Sequence, residues 1–228
     1  MKATVKTHPN IAVIKYWGKR NLPLNLPAVS SLSVTLDTFY TTTTVSTHSS
    51  KDTFIINGQE QRDDGHLKIS EFLDSIHPTR SKCMMISENN FPTAAGLASS
   101  ASAFSALAYA TCLAFEKEES QFKNWVKLSV MARLGSGSAC RSLWGGWVHW
   151  PKGVLEDGSD SHGIPLADQN HWNIQILVAV VDDQKKAISS RSGMLLTQQT
   201  SPLYEGWCSS SEGDIDVASA AILSKDIH

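Results

Sequence analysis

The stretch SENNFPTAAGLASSAS, residues 87–102, joins an apolar segment at 83–87 to an Ala-rich segment at 97–115. The first has strand character and the second has the spacing of a buried helix. Small residues between them let a phosphate group approach the backbone, and the first N–H groups of a helix favour an anion. Ser99 and Ser100 add hydroxyl groups that can orient phosphate oxygens or a magnesium ion. The stretch predicts a strand, an anion-binding loop and a helix, although a Ser-capped helix without a ligand fits it equally well, and the Gly-Lys-Ser/Thr of a Walker loop is absent.

The composition is that of an ordinary globular protein. The 228 residues include 20 Lys and Arg against 22 Asp and Glu, a formal net charge of −2, with 41% hydrophobic and 18% charged residues. These values exclude collagen-like, disordered and coiled-coil classes, and the length suits one large domain or two small ones. Because nonspecific nucleic-acid binding needs a basic face, we expect no nucleic-acid partner.

Location signals are absent from the sequence. No run of about 18 apolar residues exists, so we expect no membrane-spanning segment. The opening residues MKATVK lack the apolar part of a secretion signal. The four cysteines have no C-x-x-C spacing, which argues against a zinc site or a disulfide framework and favours reduced thiols in the cytoplasm. They are Cys83, Cys112, Cys140 and Cys208.

Hydrophobic spacing and turn residues predict the other elements. Strands are expected within 33–45 and at 53–56, 83–87, 145–150 and 174–181, the last as a buried central strand. Helices are expected at 66–76, 97–115, 122–134 and 214–226. A polar, turn-rich segment at 157–170 predicts a boundary between a first domain, 1–172, and a second, 173–228. The last helix has no visible cap or covering partner, so either it packs back on the earlier body or the sequence is a fragment.

A second candidate anion site is the Gly-Ser-Gly-Ser-Ala-Cys-Arg-Ser segment at 135–142. Alternating Gly and Ser suit a backbone nest for an anion. Arg141 offers a planar fork of donors that matches a carboxylate or a phosphate. A flexible loop between helices with a surface arginine explains the segment equally well.

A third candidate is the Asn-Ile-Ala-Val-Ile-Lys-Tyr-Trp-Gly-Lys-Arg segment at 10–20. Three cations, Lys15, Lys19 and Arg20, lie within six residues of a chain whose net charge is −2. In an alternating strand Lys15 and Lys19 share one face. The segment is either the exposed end of a strand or an anion site for a multiply charged ligand.

A fourth segment, 182–194, follows the expected central strand and contains Ser-Ser-Arg-Ser-Gly-Met at 189–194. Taken alone, its residues favour an ordinary solvated turn.

Together the four segments resemble the diphosphomevalonate decarboxylases, a family of the GHMP small-molecule kinase superfamily. The resemblance is carried by Asn-Ile-Ala-x-x-Lys-Tyr-Trp-Gly-Lys, the phrase at 87–100, Gly-Ser-Gly-Ser-Ala-Cys-Arg-Ser and Ser-Ser-x-x-Gly-Met, in this order. It implies an α+β, GHMP-kinase-like two-domain fold with a ferredoxin-like C-terminal domain. The implied reaction is ATP-dependent: the 3-hydroxyl of mevalonate 5-diphosphate is phosphorylated, and loss of that phosphate and of carbon dioxide gives isopentenyl diphosphate.

The resemblance also implies roles for individual residues. Arg141 would grip the substrate carboxylate, Lys15 would lie near the reacting 3-oxygen, and Ser100 would complete the catalytic set. The substrate-binding residues would be Tyr16, Trp17, Gly18, Lys19, Ser136, Gly137, Ser138, Ala139, Cys140, Arg141, Ser189, Ser190 and Arg191. The ATP-binding residues would be Asn89, Pro92, Ala94, Ala95, Gly96, Leu97, Ala98, Ser99, Ser100 and Ser102. ATP and magnesium are the implied cofactors, without a dedicated protein cage for the metal, and a homodimer is the implied assembly.

One family motif is missing from the sequence. The family's general base is an Asp in a Phe-Asp-Ala-Gly-Pro-Asn-like motif, which the 228 residues do not contain. We therefore expect a C-terminally truncated chain with severely reduced turnover. The alternatives are a phosphomevalonate decarboxylase, a mevalonate-kinase-like relative, and a ligand-binding remnant that is not an enzyme.

Overall fold

The computed structural model describes residues 1–47, 49–91, 99–115, 124–179 and 188–227. In these residues the strands are β1 (Lys2–Thr7), β2 (Asn10–Ile14), β3 (Lys19–Asn21), β4 (Leu26–Pro27), β5 (Ser31–Thr35), β6 (Thr41–Thr47), β7 (Thr53–Ile56), β8 (Gln59–Glu60), β9 (Cys83–Asn89), β10 (Trp147–Trp150) and β11 (Ile164–Ala167). The helices are α1 (Asp63–Ile76), α2 (Ser99–Phe115), α3 (Trp125–Gly135), α4 (Ser190–Thr200) and α5 (Tyr204–Ser224), with a short 3-10 helix at Gly137–Arg141.

The first sheet has the strand order β1-β6-β9-β7-β8 and is antiparallel except where β7 runs parallel to β9. Alternate residues of β6, among them Thr41, Thr43 and Val45, are fully buried. The β-branched threonines suit this pleated surface, and the Thr43 hydroxyl lies 2.9 Å from that of Ser87 on β9. The Thr run therefore covers a sheet face, as its composition predicts.

Helices α1, α2 and α3 form the other layer of this core. Helix α2 packs against β1, β6 and α3, and α1 packs against α2. Its small side chains allow close approach, since five of its six alanines are exposed by 1% or less. The fully buried Phe54 and Leu73 belong to the same apolar cluster. Sheet and helices together form the mixed α+β body that the sequence predicts.

The second sheet has the order β11-β10-β5-β2 and is antiparallel throughout. Helix α5 packs on it, because Ile215 and Ile222 join Leu32 and Trp147 in one buried cluster. The helix ends at Lys225, whose left-handed backbone and N–H bond to Ala221 cap it. The last helix thus packs back on the earlier body with a cap of its own, and it begins at Tyr204, ten residues before the predicted 214.

Most other predicted elements are present with shifted bounds. The 53–56 strand and its Asn57-Gly58 turn form the β7–β8 hairpin. The strand expected within 33–45 is two strands, because the chain turns between β5 and β6. Residues 97–98 and 122–123 lie outside the described part of the chain, and α2 and α3 are seen from Ser99 and Trp125.

The predicted central strand at 174–181 is wrong over residues 174–179. They have no regular structure, and Leu177 is 96% exposed. An apolar run becomes a buried strand only where another strand pairs with it and both faces are covered. No described strand pairs with these residues. Residues 180 and 181 lie outside the described part of the chain.

Candidate active site

A cavity of about 470 Å³ lies where β2, the end of α3, the 3-10 helix and α4 meet. It brings together residues from all four segments that the sequence singles out. The lining residues are Asn10, Ile11, Ala12, Lys15, Tyr16, Trp17, Lys19, Asn25, Ser100, Gly135, Ser136, Gly137, Ser138, Arg141, Ser190, Arg191 and Met194. Four of these are Lys or Arg and none is Asp or Glu, so the cavity has the charge of an anion-binding site.

Arg141 is buried at the end of the 3-10 helix, with 2% of its surface exposed. Its Nε and Nη2 donate to Asn10 Oδ1 at 3.2 and 2.9 Å, and its Nη1 donates to Ser31 Oγ at 2.6 Å. The guanidinium also lies over the Trp150 ring, 5.5 Å from its centroid. None of the described ion pairs gives Arg141 a carboxylate partner. A buried cation held only by neutral oxygens is suited to an anionic ligand.

Asn10 fixes the orientation of Arg141. Its Nδ2 donates to the Ser138 carbonyl at 3.1 Å and to Ser142 Oγ at 2.8 Å, so its Oδ1 must face the guanidinium. The sequence reasoning quoted Asn10 as part of a motif but gave it no role. Only the contact across 131 residues reveals its function as a support.

Tyr16 contributes a buried hydroxyl to the cavity. Its ring packs on Trp150 with centroids 4.8 Å apart. Among the described residues its hydroxyl has no hydrogen-bond partner. Burial, followed by the nearby Cys140, raises the pKa of Tyr16 far above its usual range, so the group is a neutral O–H. An unpartnered buried donor at a cavity wall indicates a ligand contact.

Lys15 and Lys19 reach the same cavity from different backbone contexts. The two lysines do not belong to one alternating strand, because β2 ends at Ile14, β3 begins at Lys19, and Gly18 between them has φ +95°. Lys15 is exposed and its Nζ donates to the Ala12 carbonyl at 2.6 Å. Lys19 is 9% exposed, and burial, helped by Arg191, lowers its pKa to about 8. The bend at Gly18 therefore gives the two ammonium groups different burial at one site.

The Gly-Ser-Gly-Ser segment forms another part of the cavity wall. Gly137 is buried between Tyr16 and Trp150, and a Cβ built on it would lie 2.8 Å from the Tyr16 hydroxyl. Ser136 lies 3.1 Å from Ser100, hydroxyl to hydroxyl, at the start of α2. The segment thus brings the predicted phosphate loop and the predicted substrate site into contact.

Several predicted substrate-binding residues do not line the cavity. Ala139 and Cys140 are fully buried behind it, and burial raises the pKa of Cys140 to about 12, which keeps the thiol neutral. Gly18 lies against Tyr204 of α5. Ser189 caps α4, because its Oγ accepts from the Ser192 N–H at 3.1 Å. These residues shape or support the wall, whereas Trp17, Ser190 and Arg191 lie on it.

Much of the predicted ATP-binding loop, Pro92, Ala94, Ala95, Gly96, Leu97 and Ala98, lies outside the described residues. Asn89 at the end of β9 accepts from Thr41 Oγ1 at 2.6 Å. Ser102 is fully buried, and its Oγ lies 2.7 Å from the same Thr41 hydroxyl, so it joins α2 to the sheet. Ser99 begins α2, and Ser100 is the member of the predicted set that lines the cavity.

Sequence reasoning missed Asn25 altogether. This residue lines the cavity, is buried to 2% exposure and has a left-handed backbone with φ +52°. The available signal was its position in a Pro-Leu-Asn turn, where Asn tolerates that conformation. The described residues contain no cluster of His, Cys, Asp or Glu that could hold a metal ion. They also contain no helix with the length and apolar character needed to cross a bilayer.

Solved structures share this fold. A structure described as MDDEF in complex with MVAPP, AMPPCP and magnesium is 40% identical, with a TM-score of 0.85 over 99% of this chain and 69% of that one. Mevalonate diphosphate decarboxylase from Staphylococcus aureus is 37% identical, with a TM-score of 0.84 over the same 99% and 69%. The fold and the cationic, serine-lined cavity thus define an α+β protein of the GHMP-kinase type.

The sequence comparisons are more specific. The family model "Diphosphomevalonate decarboxylase-like N-terminal domain" matches residues 7–163, and "Mevalonate 5-diphosphate decarboxylase C-terminal domain" matches 176–228. Diphosphomevalonate decarboxylase of Ganoderma lucidum is 46% identical over 224 residues, which cover 90% of this chain and 55% of that protein. The chain belongs to the diphosphomevalonate decarboxylase family, and it spans about half the length of the curated relatives it matches.

Proposed function

We propose that this chain carries the substrate-binding cleft of an ATP-dependent decarboxylase that acts on mevalonate 5-diphosphate. The observation that carries the proposal is Arg141, a buried cation without a described carboxylate partner, at the wall of a cavity lined by Lys15, Lys19 and Arg191. A ligand with a carboxylate at one end and a diphosphate at the other matches this charge distribution. Family membership supports the same substrate.

In this proposal, different residues bind the two charged ends of the ligand. The planar fork of Arg141 suits the carboxylate, because two parallel N–H bonds fix the plane of the group that must leave. Lys19, Arg191 and the Tyr16 hydroxyl suit the diphosphate end. Lys15 lines the same cavity, where its charge would stabilise a developing negative oxygen.

The proposed reaction has two steps. The substrate 3-hydroxyl gives its proton to a general base as its oxygen attacks the terminal phosphorus of ATP and ADP leaves, so that the hydroxyl becomes a phosphate ester. The C3–O bond and the C1–C2 bond then break, and the electron pair of the C1–C2 bond forms the double bond of isopentenyl diphosphate as phosphate and carbon dioxide leave. Such steps depend mostly on positioning and charge neutralisation.

ATP and magnesium fit this site as the family's cofactors. The MDDEF structure that resembles this chain holds an ATP analogue and magnesium by its description. Ser100 lies at the N-terminus of α2 and touches Ser136, which supports the binding of nucleotide phosphates beside the substrate site. Mg²⁺ prefers oxygen ligands and is commonly bound through substrate phosphates, so serine hydroxyls and phosphates would hold it.

Calorimetry with three ligands tests the proposal. We expect mevalonate 5-diphosphate to bind most tightly, and the monophosphate and mevalonate each to bind more weakly, because fewer charges meet Lys19 and Arg191. Lys19→Ala should abolish the preference for the diphosphate, whereas Lys51→Ala, an exposed lysine outside the cavity, should not. Equal affinity for all three ligands would contradict the proposal. Carbon dioxide release with ATP and magnesium then measures turnover of the bound substrate.

The wider organisation is proposed on the family resemblance. We propose a first domain, 1–172, a second domain, 173–228, a homodimeric assembly and a cytoplasmic location. Light scattering of the purified protein at several concentrations tests the assembly, and a monomer at all of them would contradict it.

A further inference from the structure

Asn25 lies directly behind Lys19 at the cavity wall. Lys19 Nζ donates to Asn25 Oδ1. Asn25 Nδ2 donates in turn to the carbonyls of Arg133 at 3.0 Å and Leu134 at 2.7 Å, near the end of α3. The two side chains are 2% and 9% exposed, so this chain of hydrogen bonds is buried. It joins the cleft lysine to a rigid helix end.

The orientation of the Asn25 amide is fixed by chemistry. Main-chain carbonyls only accept hydrogen bonds, so the NH₂ side of the amide must face α3. The oxygen must then face Lys19. The backbone of Asn25 is also constrained, because φ +52° is a conformation that Asn adopts more readily than most residues other than Gly. Asn25 therefore presents its acceptor to Lys19 without help from a ligand.

The surroundings make this acceptor important. Besides Lys19 the cavity wall carries the cations Lys15, Arg141 and Arg191 and the neutral Tyr16, and it has no acidic side chain among its described lining residues. On the α5 side, Tyr204 lies against Gly18. Burial first, and then Arg191, lowers the pKa of Lys19 to about 8. A carbonyl that accepts from an ammonium group favours its charged form and opposes these two effects.

We propose that Asn25 is a positioning residue that anchors the Lys19 ammonium at the cleft wall, where it binds the diphosphate group of the ligand. The ligand part of this inference rests on the proposed function. The alternative is that Asn25 serves only the turn between β3 and β4 and the end of α3. The two explanations differ in the pKa that they predict for Lys19 when Asn25 is replaced.

Two substitutions separate them. Asn25→Gly suits the left-handed backbone and removes the acceptor. Asn25→Asp keeps an acceptor, adds a negative charge and loses the donors to α3. If Asn25 anchors Lys19, the first should lower the pKa of Lys19 and the second should raise it, each by about one unit. A purely structural role would reduce stability in both variants without opposite shifts.

The shifts are measured on the ligand-free protein by competitive acetylation across pH, with each lysine resolved by mass spectrometry. Asn21→Gly is the matched control, because Asn21 lies in the same turn, its Oδ1 accepts from the Leu24 N–H at 2.9 Å, and it does not line the cavity. It should leave the Lys19 profile unchanged. Identical profiles in folded wild-type, Asn25→Gly and Asn25→Asp proteins would overturn the proposal.

Inorganic pyrophosphate is the binding probe. Asn25→Gly should weaken its binding about tenfold near pH 8.5 and less near pH 6.5, where Lys19 is charged with or without its acceptor. If wild-type protein fails to bind pyrophosphate while the acetylation profiles shift in opposite directions, the anchoring stands and the proposed function fails. If wild-type protein binds and the profiles do not shift, the anchoring fails and the proposed function stands.

Discussion

The hydroxyl groups of Ser100 and Ser136 lie 3.1 Å apart, although 36 residues separate them. Ser100 is in the first turn of α2 and Ser136 follows the last residue of α3. The predicted nucleotide site and the predicted substrate site therefore share a boundary. Two polyanions bound on either side of it would lie close enough for phosphate transfer.

This contact predicts coupled binding effects. Ser136→Ala should weaken mevalonate 5-diphosphate binding and Ser100→Ala should weaken Mg·ATP binding, each by roughly 2- to 12-fold, the value of one hydrogen bond. Because the hydroxyls touch, the double variant should lose an amount of binding free energy, for each ligand, that differs from the sum of the losses in the two single variants. Calorimetry on the four proteins measures both effects. Ser209→Ala, on the exposed face of α5, is the control, and strict additivity would count against a shared boundary.

Substitution of Arg141 should cause a large loss of rate. Arg141→Gln keeps a polar, planar end near Asn10 but removes the charge and the fork. We expect kcat/KM for carbon dioxide release to fall by about 100-fold or more, because stabilising charge at the reacting group is lost. Arg20→Gln is the control, since Arg20 is exposed, donates to the carbonyls of Lys152 and Leu155 and does not line the cavity. A rate near that of the wild type would remove Arg141 from the mechanism.

The contact between Gly18 and Tyr204 links α5 to the cleft. A Cβ on Gly18 would lie 1.8 Å from the Tyr204 hydroxyl, and φ is +95°, so Gly18→Ala must displace Tyr204 and strain the backbone. We expect a loss of about 2 kcal/mol in the free energy of unfolding. Gly58→Ala is the matched control: its φ is +77° with open space around it, so it reports the backbone strain alone.

The Gly18 prediction is checked by urea unfolding. Tyr204→Leu in the Gly18→Ala background should recover part of the difference between the two glycine variants. If Gly18→Ala and Gly58→Ala lower the free energy of unfolding by the same amount, Tyr204 does not hold the 15–19 segment in place.

The charge of Asp52 should stabilise the folded protein by an amount that depends on pH. Burial alone would raise the pKa of this carboxyl, but hydrogen bonds from Arg80, Lys82 and the Cys83 N–H outweigh it, and the pKa lies far below its usual range. A carboxyl with a lowered pKa in the folded state stabilises the protein above the unfolded pKa, near 4, and this contribution is lost as pH falls toward the folded value. The effect of removing the charge should therefore be largest above about pH 4 and should decrease progressively as the pH falls below that value.

The test is Asp52→Asn. Because it leaves Arg80 without the buried carboxylate that pairs with it at 2.7 Å, we expect about 3 kcal/mol of destabilisation at pH 7. Asp74→Asn is the control, since Asp74 is 55% exposed and pairs with the same arginine, and it should cost about 0.5 kcal/mol. Urea unfolding near pH 7, pH 4 and pH 2 measures both, and an Asp52→Asn effect that does not decrease between pH 4 and pH 2 would contradict the assignment.

Local signals explain which elements could be predicted. The helix that includes α2 and the β7–β8 hairpin follow from Ala content and from the Asn57-Gly58 turn, which act within a few residues. The 174–179 segment fails for the opposite reason: its apolar run resembles a buried strand, but a strand needs a partner elsewhere in the chain. The cap of α5 could not be predicted, because the left-handed conformation at Lys225 has no common sequence signal.

The residue types of the site could be predicted, but its supports could not. Lys15, Lys19 and Arg141 were found because cations beside small residues indicate an anion site. Asn25 was not, because an asparagine in a turn has a local explanation of its own. Its contact with the end of α3 spans more than 100 positions and leaves no mark on spacing.

The amino-acid order alone thus specified the α+β class, the four segments whose residues meet at the cavity and the family to which they belong, because each depends on neighbouring residues. The tertiary structure decided which cations are buried, which serines touch and which asparagines hold the cations in place. Burial and hydrogen-bond geometry depend on residues that are distant in sequence and adjacent only after folding. For that reason the anchoring of Lys19 by Asn25 could be inferred from the folded structure and not from the amino-acid sequence alone.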